Sequence, residues 1–170
     1  MVELMLNAVL AWVHIFASIG WMGAAMILVM VISPLMKHLS PQTRSELVLK
    51  MYPRLTRYVA AFATIALISG FVLAQSMAGG NHGVFSPSNV WGSRIIISLI
   101  LATVAYLVAI GVVVRSSNAM LKLIVNMKKN PDEGTHNKLI ALQKRLRFGG
   151  TTVLFLLLLT LVFMVAAARL

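Results

Sequence analysis

The chain has 170 residues, of which 59% are hydrophobic and only 11% charged. A soluble domain of this length carries about 25% charge, so a polytopic membrane protein forming one domain is expected. The absence of cysteine excludes disulfides and thiolate metal or redox sites. The net charge of +11 would suit a nucleic-acid binder if it were spread over one surface, but it is not. Five Lys/Arg fall between Lys37 and Arg57, and eight more between Arg115 and Arg147. Short basic loops of this kind stay in the cytoplasm. The clusters therefore report topology and contact with the lipid bilayer, and no nucleic-acid partner is expected.

The first span is expected over 6–33. From Asn7 to Ser33 it carries no Lys, Arg, Asp or Glu, and it exceeds the roughly 20 apolar residues needed to cross a bilayer. It has no basic n-region and is too long for a signal-peptide core, so it is expected to be retained. One titratable group lies within it, His14. Such groups at membrane depth are costly, and they are functional more often than decorative. Trp21 is seven residues on and shares its helix face. Gly20 and Gly23 are small and admit a neighbouring helix or a flat ligand. Pro34 is expected to end or kink this span.

Ser40-Pro41 has the form of an N-cap followed by a first helical residue. A short interfacial helix over 41–51 should follow, with Pro53 bending the chain into a second span over 54–77. Ala66 and Gly70 form a small-xxx-small pair suited to close packing. The loop over 78–89 holds His82 but no Lys, Arg, Asp or Glu.

The third span, 90–114, begins with Trp91, an interfacial residue type, and Arg94. Its periodicity continues through Arg115 to Lys129 as far as the turn Asn130-Pro131-Asp132-Glu133-Gly134. A return helix over 136–147 leads into the fourth span, 148–168. The expected architecture is all-α: a four-transmembrane-helix bundle with a basic cytoplasmic helical hairpin extending helices 3 and 4. With loops 1–2 and 3–4 cytoplasmic, both termini lie outside, as expected for the plasma membrane of a prokaryote.

This topology puts His14 and Arg94 on the same side, His14 only about 10 Å deep at 1.5 Å per residue. Neutral imidazole ligates iron, and a guanidinium fork matches a haem propionate. His14 is therefore the candidate axial ligand of haem b, Arg94 its propionate partner, and Trp21, Gly20 and Gly23 the pocket wall. His82 is the other histidine on that side. A second axial ligand could be His82 or the His14 of a second chain in a homodimer. Met22, Met26 and Met77 are alternative thioether ligands. His38 and His136 read as surface residues. The chain has only four acids (Glu3, Glu46, Asp132, Glu133) and lacks hydrolytic or nucleotide-binding motifs. Any oxidoreductase chemistry must come from a cofactor. Tyr106 reads as core packing or a proton relay.

His14 followed by Trp21-Met22-Gly23, with Trp91-Gly92-Ser93-Arg94 later, resembles the copper resistance D (CopD-like) membrane proteins and the related HemJ-type protoporphyrinogen oxidases. Pro53-Arg54-Leu55 through Gly70 is similar to their second helix. The resemblance implies a four-helix bundle with b-type haem or copper in its outer half. Arg94 stands where the HemJ-type pattern has lysine. The function expected is electron transfer with a quinone or small redox protein as partner, or gas or redox sensing. Copper transport or handling and a cofactor-free accessory membrane subunit are the alternatives. In the latter, His14 only hydrogen-bonds between helices.

Overall fold

The computed structural model describes residues 2–77, 90–127 and 133–168, and every element among them is helical. Helix α1 (Val2–Met26) passes through a π-helical segment (Ile27–Ile32) into α2 (Ser33–His38). Helix α3 spans Pro41–Met77. Helix α4 (Val90–Val108) continues through a second π segment (Ala109–Val114) into α5 (Arg115–Met127), and α6 spans Glu133–Ala168. Four stretches are long and apolar enough to cross a membrane: Leu4–His38, Pro41–Met77, Val90–Met127 and Asn137–Ala168.

These helices outrun the expected spans because their polar ends stay helical. Ser40 caps α3 as its sequence suggests, its Oγ accepting the Thr43 N–H at 3.3 Å. Neither proline breaks the chain where expected. Pro34 lies inside the continuous helical stretch Leu4–His38, just after the π segment, a local widening of the kind that accommodates a residue lacking an N–H. The π segment runs up to this point, and the Ser33 N–H reaches back to the Leu28 carbonyl. Pro53 lies inside α3, so the interfacial helix and the second span form one helix rather than two. Tyr52 and Thr56, on either side of it, are buried. Packing of this face outweighs the local cost of the proline, about 3 kcal/mol in an unsupported helix. Helix α5 packs against α6.

The bundle consists of two closely packed pairs, α1 with α3 and α4 with α6. Its core is built from small residues: Ala17, Ala63, Ala66, Ala105, Ala109 and Ser98 are all buried. Such residues let helices approach closely where lipid removes the hydrophobic drive between them. Larger side chains such as Phe16, Ile19, Leu107 and Phe155 point outward, as a lipid-facing surface requires. The Gly149-Gly150 step lets α6 lie against both π segments. A Cβ at Gly149 would meet Val112 at 2.9 Å, and one at Gly150 would meet Val29 at 3.2 Å.

At one end of the bundle, Asn7 bonds Ser76 and Arg94 bonds the Ala166 carbonyl. The start of α1 therefore lies beside the end of α3, and the start of α4 beside the end of α6. Lys37, Arg44, Lys144 and Arg147 gather at the other end.

Candidate cofactor site

His14 comes from the middle of α1 and lies against α3. Its Nδ1 is 2.9 Å from the Ala66 carbonyl oxygen. A carbonyl can only accept, so Nδ1 carries the proton, and in the neutral ring Nε2 keeps its lone pair. Ser69 Oγ lies 3.4 Å from the same nitrogen. The Ser69 hydroxyl itself donates to the Ile65 carbonyl at 2.6 Å, so towards His14 it can only accept. The ring is seated on Gly70, where a Cβ would lie 2.6 Å from Cε1 and 2.9 Å from Nδ1. The Ala66/Gly70 pair is thus the seat of the imidazole: alanine supplies the carbonyl and glycine the room.

His14 also lines a cavity of about 230 Å³ where all four spans meet. From α1 the wall takes His14, Ser18, Trp21 and Met22, spaced by four, three and one along one helix face. Met77 closes it from α3, Trp91 and Ile95 from α4, and Thr160 and Met164 from α6. The wall is otherwise aliphatic. Trp21 is only 3% exposed, and its indole N–H has no hydrogen-bond partner among the described residues. Thr160 turns its hydroxyl back to the Leu156 carbonyl at 2.8 Å and so presents little polarity.

The structure brings together only part of the expected set. His14 and Trp21 share the cavity. Gly20 and Gly23 do not: they line a groove on another face of α1, beside Arg54 and Tyr58 of α3. A Cβ at Gly20 would strike the Phe62 ring at 2.3 Å, whereas one at Gly23 would meet nothing within 4 Å. Gly20 is therefore a helix-packing residue and not a cavity wall.

Arg94 is not among the cavity's lining residues either. Its Nη1 donates to the Ala166 carbonyl at the end of α6, and it borders a lateral depression with Leu161 and Val165. It enters at the same end of the bundle as His14 but braces the α4–α6 seam. Met22 and Met77 do line the cavity, joined by Met164, which the sequence did not single out. Met26 does not line it. His38 is exposed, as expected. His82 and the side chain of His136 lie outside the described residues. Tyr106 links α4 to α3: Thr64 Oγ1 donates to the Ala60 carbonyl, so the Tyr106 hydroxyl, 3.2 Å away, is the donor to Thr64.

No family model, curated protein or solved structure matches the chain. The cavity must therefore be read from its own chemistry. Among the described residues there is no group of three or more His, Cys, Asp or Glu that could hold a metal ion. The site offers one imidazole nitrogen, three thioethers and two indoles in an apolar surround.

Proposed function

We propose that this chain is an integral membrane protein that binds b-type haem through Nε2 of His14 and serves electron transfer or redox sensing. The observation that carries this reading is the hydrogen bond from Nδ1 to the Ala66 carbonyl. Ligating histidines characteristically donate their other N–H to a carbonyl or carboxylate, which fixes the tautomer and the ring plane. A porphyrin brings four nitrogen donors of its own, so one imidazole suffices where a bare metal ion would need several protein ligands. Trp21 and Trp91 offer aromatic walls for the macrocycle. The electron donor is proposed to be a quinol or a small redox protein. When bound, haem would supply one-electron chemistry that no side chain here provides.

At about 230 Å³ the cavity is smaller than the roughly 300–1,000 Å³ of typical ligand pockets. Seating a macrocycle therefore requires the α1/α3 pair to part from the α4/α6 pair along their seam. The basic end is proposed to face the cytoplasm, with the His14 cavity in the outer half of the bilayer.

One observation favours a second reading, a site for cuprous copper. Met22, Met77 and Met164 line the same cavity as His14, and soft thioether ligands select Cu(I). Haem and copper quantification on protein purified after growth with both supplied separates the two. The haem reading requires about one haem per chain or per chain pair. Stoichiometric copper without haem would establish the second reading, and neither group would remove both.

A further inference from the structure

A second cavity, of about 410 Å³, opens at the opposite, basic end of the bundle. Four cationic side chains line it: Lys37 of α2, Arg44 of α3, and Lys144 and Arg147 of α6. Among the described residues none that lines it is acidic, and the whole chain holds only four Asp and Glu. Four like charges around one cavity repel each other unless an anion joins them. Arg44 is the most constrained of the four. One of its terminal nitrogens donates to the Leu39 carbonyl at 3.3 Å, while its buried Nε has no partner among the described residues. Its planar fork is thereby held in place with donors to spare, the arrangement that suits a phosphate.

Ser33, Tyr52 and Gln143 add polar groups to the wall, and the rest of it is aliphatic. Leu28 and Val29 come from the π segment, with Met36 and Leu146 beside them. A free inorganic anion has no use for these residues, whereas a phosphate carrying acyl chains does. The cavity also lies where the helices change from apolar to basic, the level of lipid headgroups in a chain that crosses a bilayer. Basic pockets between membrane helices hold anionic headgroups by this combination of charge and apolar wall.

We infer that this cavity is a binding site for the phosphate headgroup of an anionic glycerophospholipid, with Arg44, Lys144 and Arg147 on the phosphate and Leu28, Val29 and Met36 along the acyl chains. The inference does not depend on what His14 binds.

The test uses the full chain in neutral detergent, titrated with phosphatidylglycerol, phosphatidylcholine or inorganic phosphate. Thermal unfolding and native mass spectrometry are the readouts. Phosphatidylglycerol should raise Tm by several degrees and remain as a one-to-one adduct, and phosphatidylcholine should do neither. Lys144→Gln with Arg147→Gln should weaken phosphatidylglycerol binding roughly tenfold or more, since each cation near an anionic lipid contributes about fivefold. Lys138→Gln with Arg145→Gln removes the same charge from exposed positions of the same helix that do not line the cavity and should leave binding unchanged. Should the first pair fail to fold, Lys37→Gln, on exposed α2, replaces it with a smaller loss in the same direction. Equal losses in the cavity and control variants would overturn the inference, as would the absence of any phosphatidylglycerol shift. An equal shift from inorganic phosphate alone would overturn the assignment to lipid.

Discussion

The imidazole of His14 rests directly on Gly70 of α3, and a methyl group at Gly70 would lie 2.6 Å from Cε1. No real Cβ contact is that short, and both partners sit on packed helices. The ring cannot swing away without giving up its bond to the Ala66 carbonyl, 2.9 Å from Nδ1. One small residue thus fixes where the His14 ring points.

Gly70→Ala should therefore displace the ring and cost about 1–3 kcal/mol, the usual penalty of overpacking a tight contact. Gly23→Ala is the control, since a Cβ there meets nothing within 4 Å. It should be neutral or stabilise α1 by up to about 1 kcal/mol through helix propensity. Thermal unfolding in detergent compares the two. Equal Tm values for both variants would show that Gly70 is not the seat of the ring.

His14→Asn separates a brace from a ligand. The asparagine amide can donate to the Ala66 carbonyl much as Nδ1–H does, so Tm should stay within the effect of about 0.6 kcal/mol typical of one interhelical hydrogen bond in a membrane. Haem content should fall to background. If His14 serves only as an interhelical brace, as in an accessory subunit without a cofactor, His14→Asn would be silent in every readout.

Arg94→Gln should loosen the end of α6 rather than the cavity. Its guanidinium donates to the Ala166 carbonyl, in the last turn of that helix. A cation bonded there stabilises by about 1–2 kcal/mol. Hydrogen exchange should accelerate over residues 163–168, with little change around His14. A selective loss of bound cofactor with unchanged exchange would instead make Arg94 a propionate partner.

Tyr106→Phe removes one hydrogen bond to Thr64 and fills nearly the same volume. A loss of about 0.6–1 kcal/mol is expected, read as a Tm shift of a few degrees, with cofactor content unchanged. A redox role for Tyr106 would show as altered electron-transfer rates in this variant.

Much of the architecture was legible because membrane insertion writes itself into composition. Charge clusters mark the basic end, and the structure collects Lys37, Arg44, Lys144 and Arg147 there. The seven-residue spacing of His14 and Trp21 correctly placed both on one face, and the small pair Ala66/Gly70 marked a close contact. Their meeting with His14 was not legible, since a contact between helices fifty residues apart depends on rotation and depth. Gly23 shows a signal that could have been used. Nine residues from His14 is about 180° around a helix at 3.6 residues per turn, which puts it on the far face. Pro53 does not end its helix because local rules see the missing N–H but not the packing around Tyr52 and Thr56. A shared side of the bundle does not fix which neighbour Arg94 meets, and its guanidinium bonds the Ala166 carbonyl at the end of α6.

The most direct test of the central claim is the oxidised and reduced visible spectrum of the purified chain, expressed with haem supplied, beside that of His14→Asn. The wild type should show a Soret band and a reduced α-band of b-type haem, both absent from a His14→Asn protein that melts at nearly the same temperature. A colourless wild-type protein, or a spectrum that survives the substitution, would contradict the assignment of His14 as the ligand.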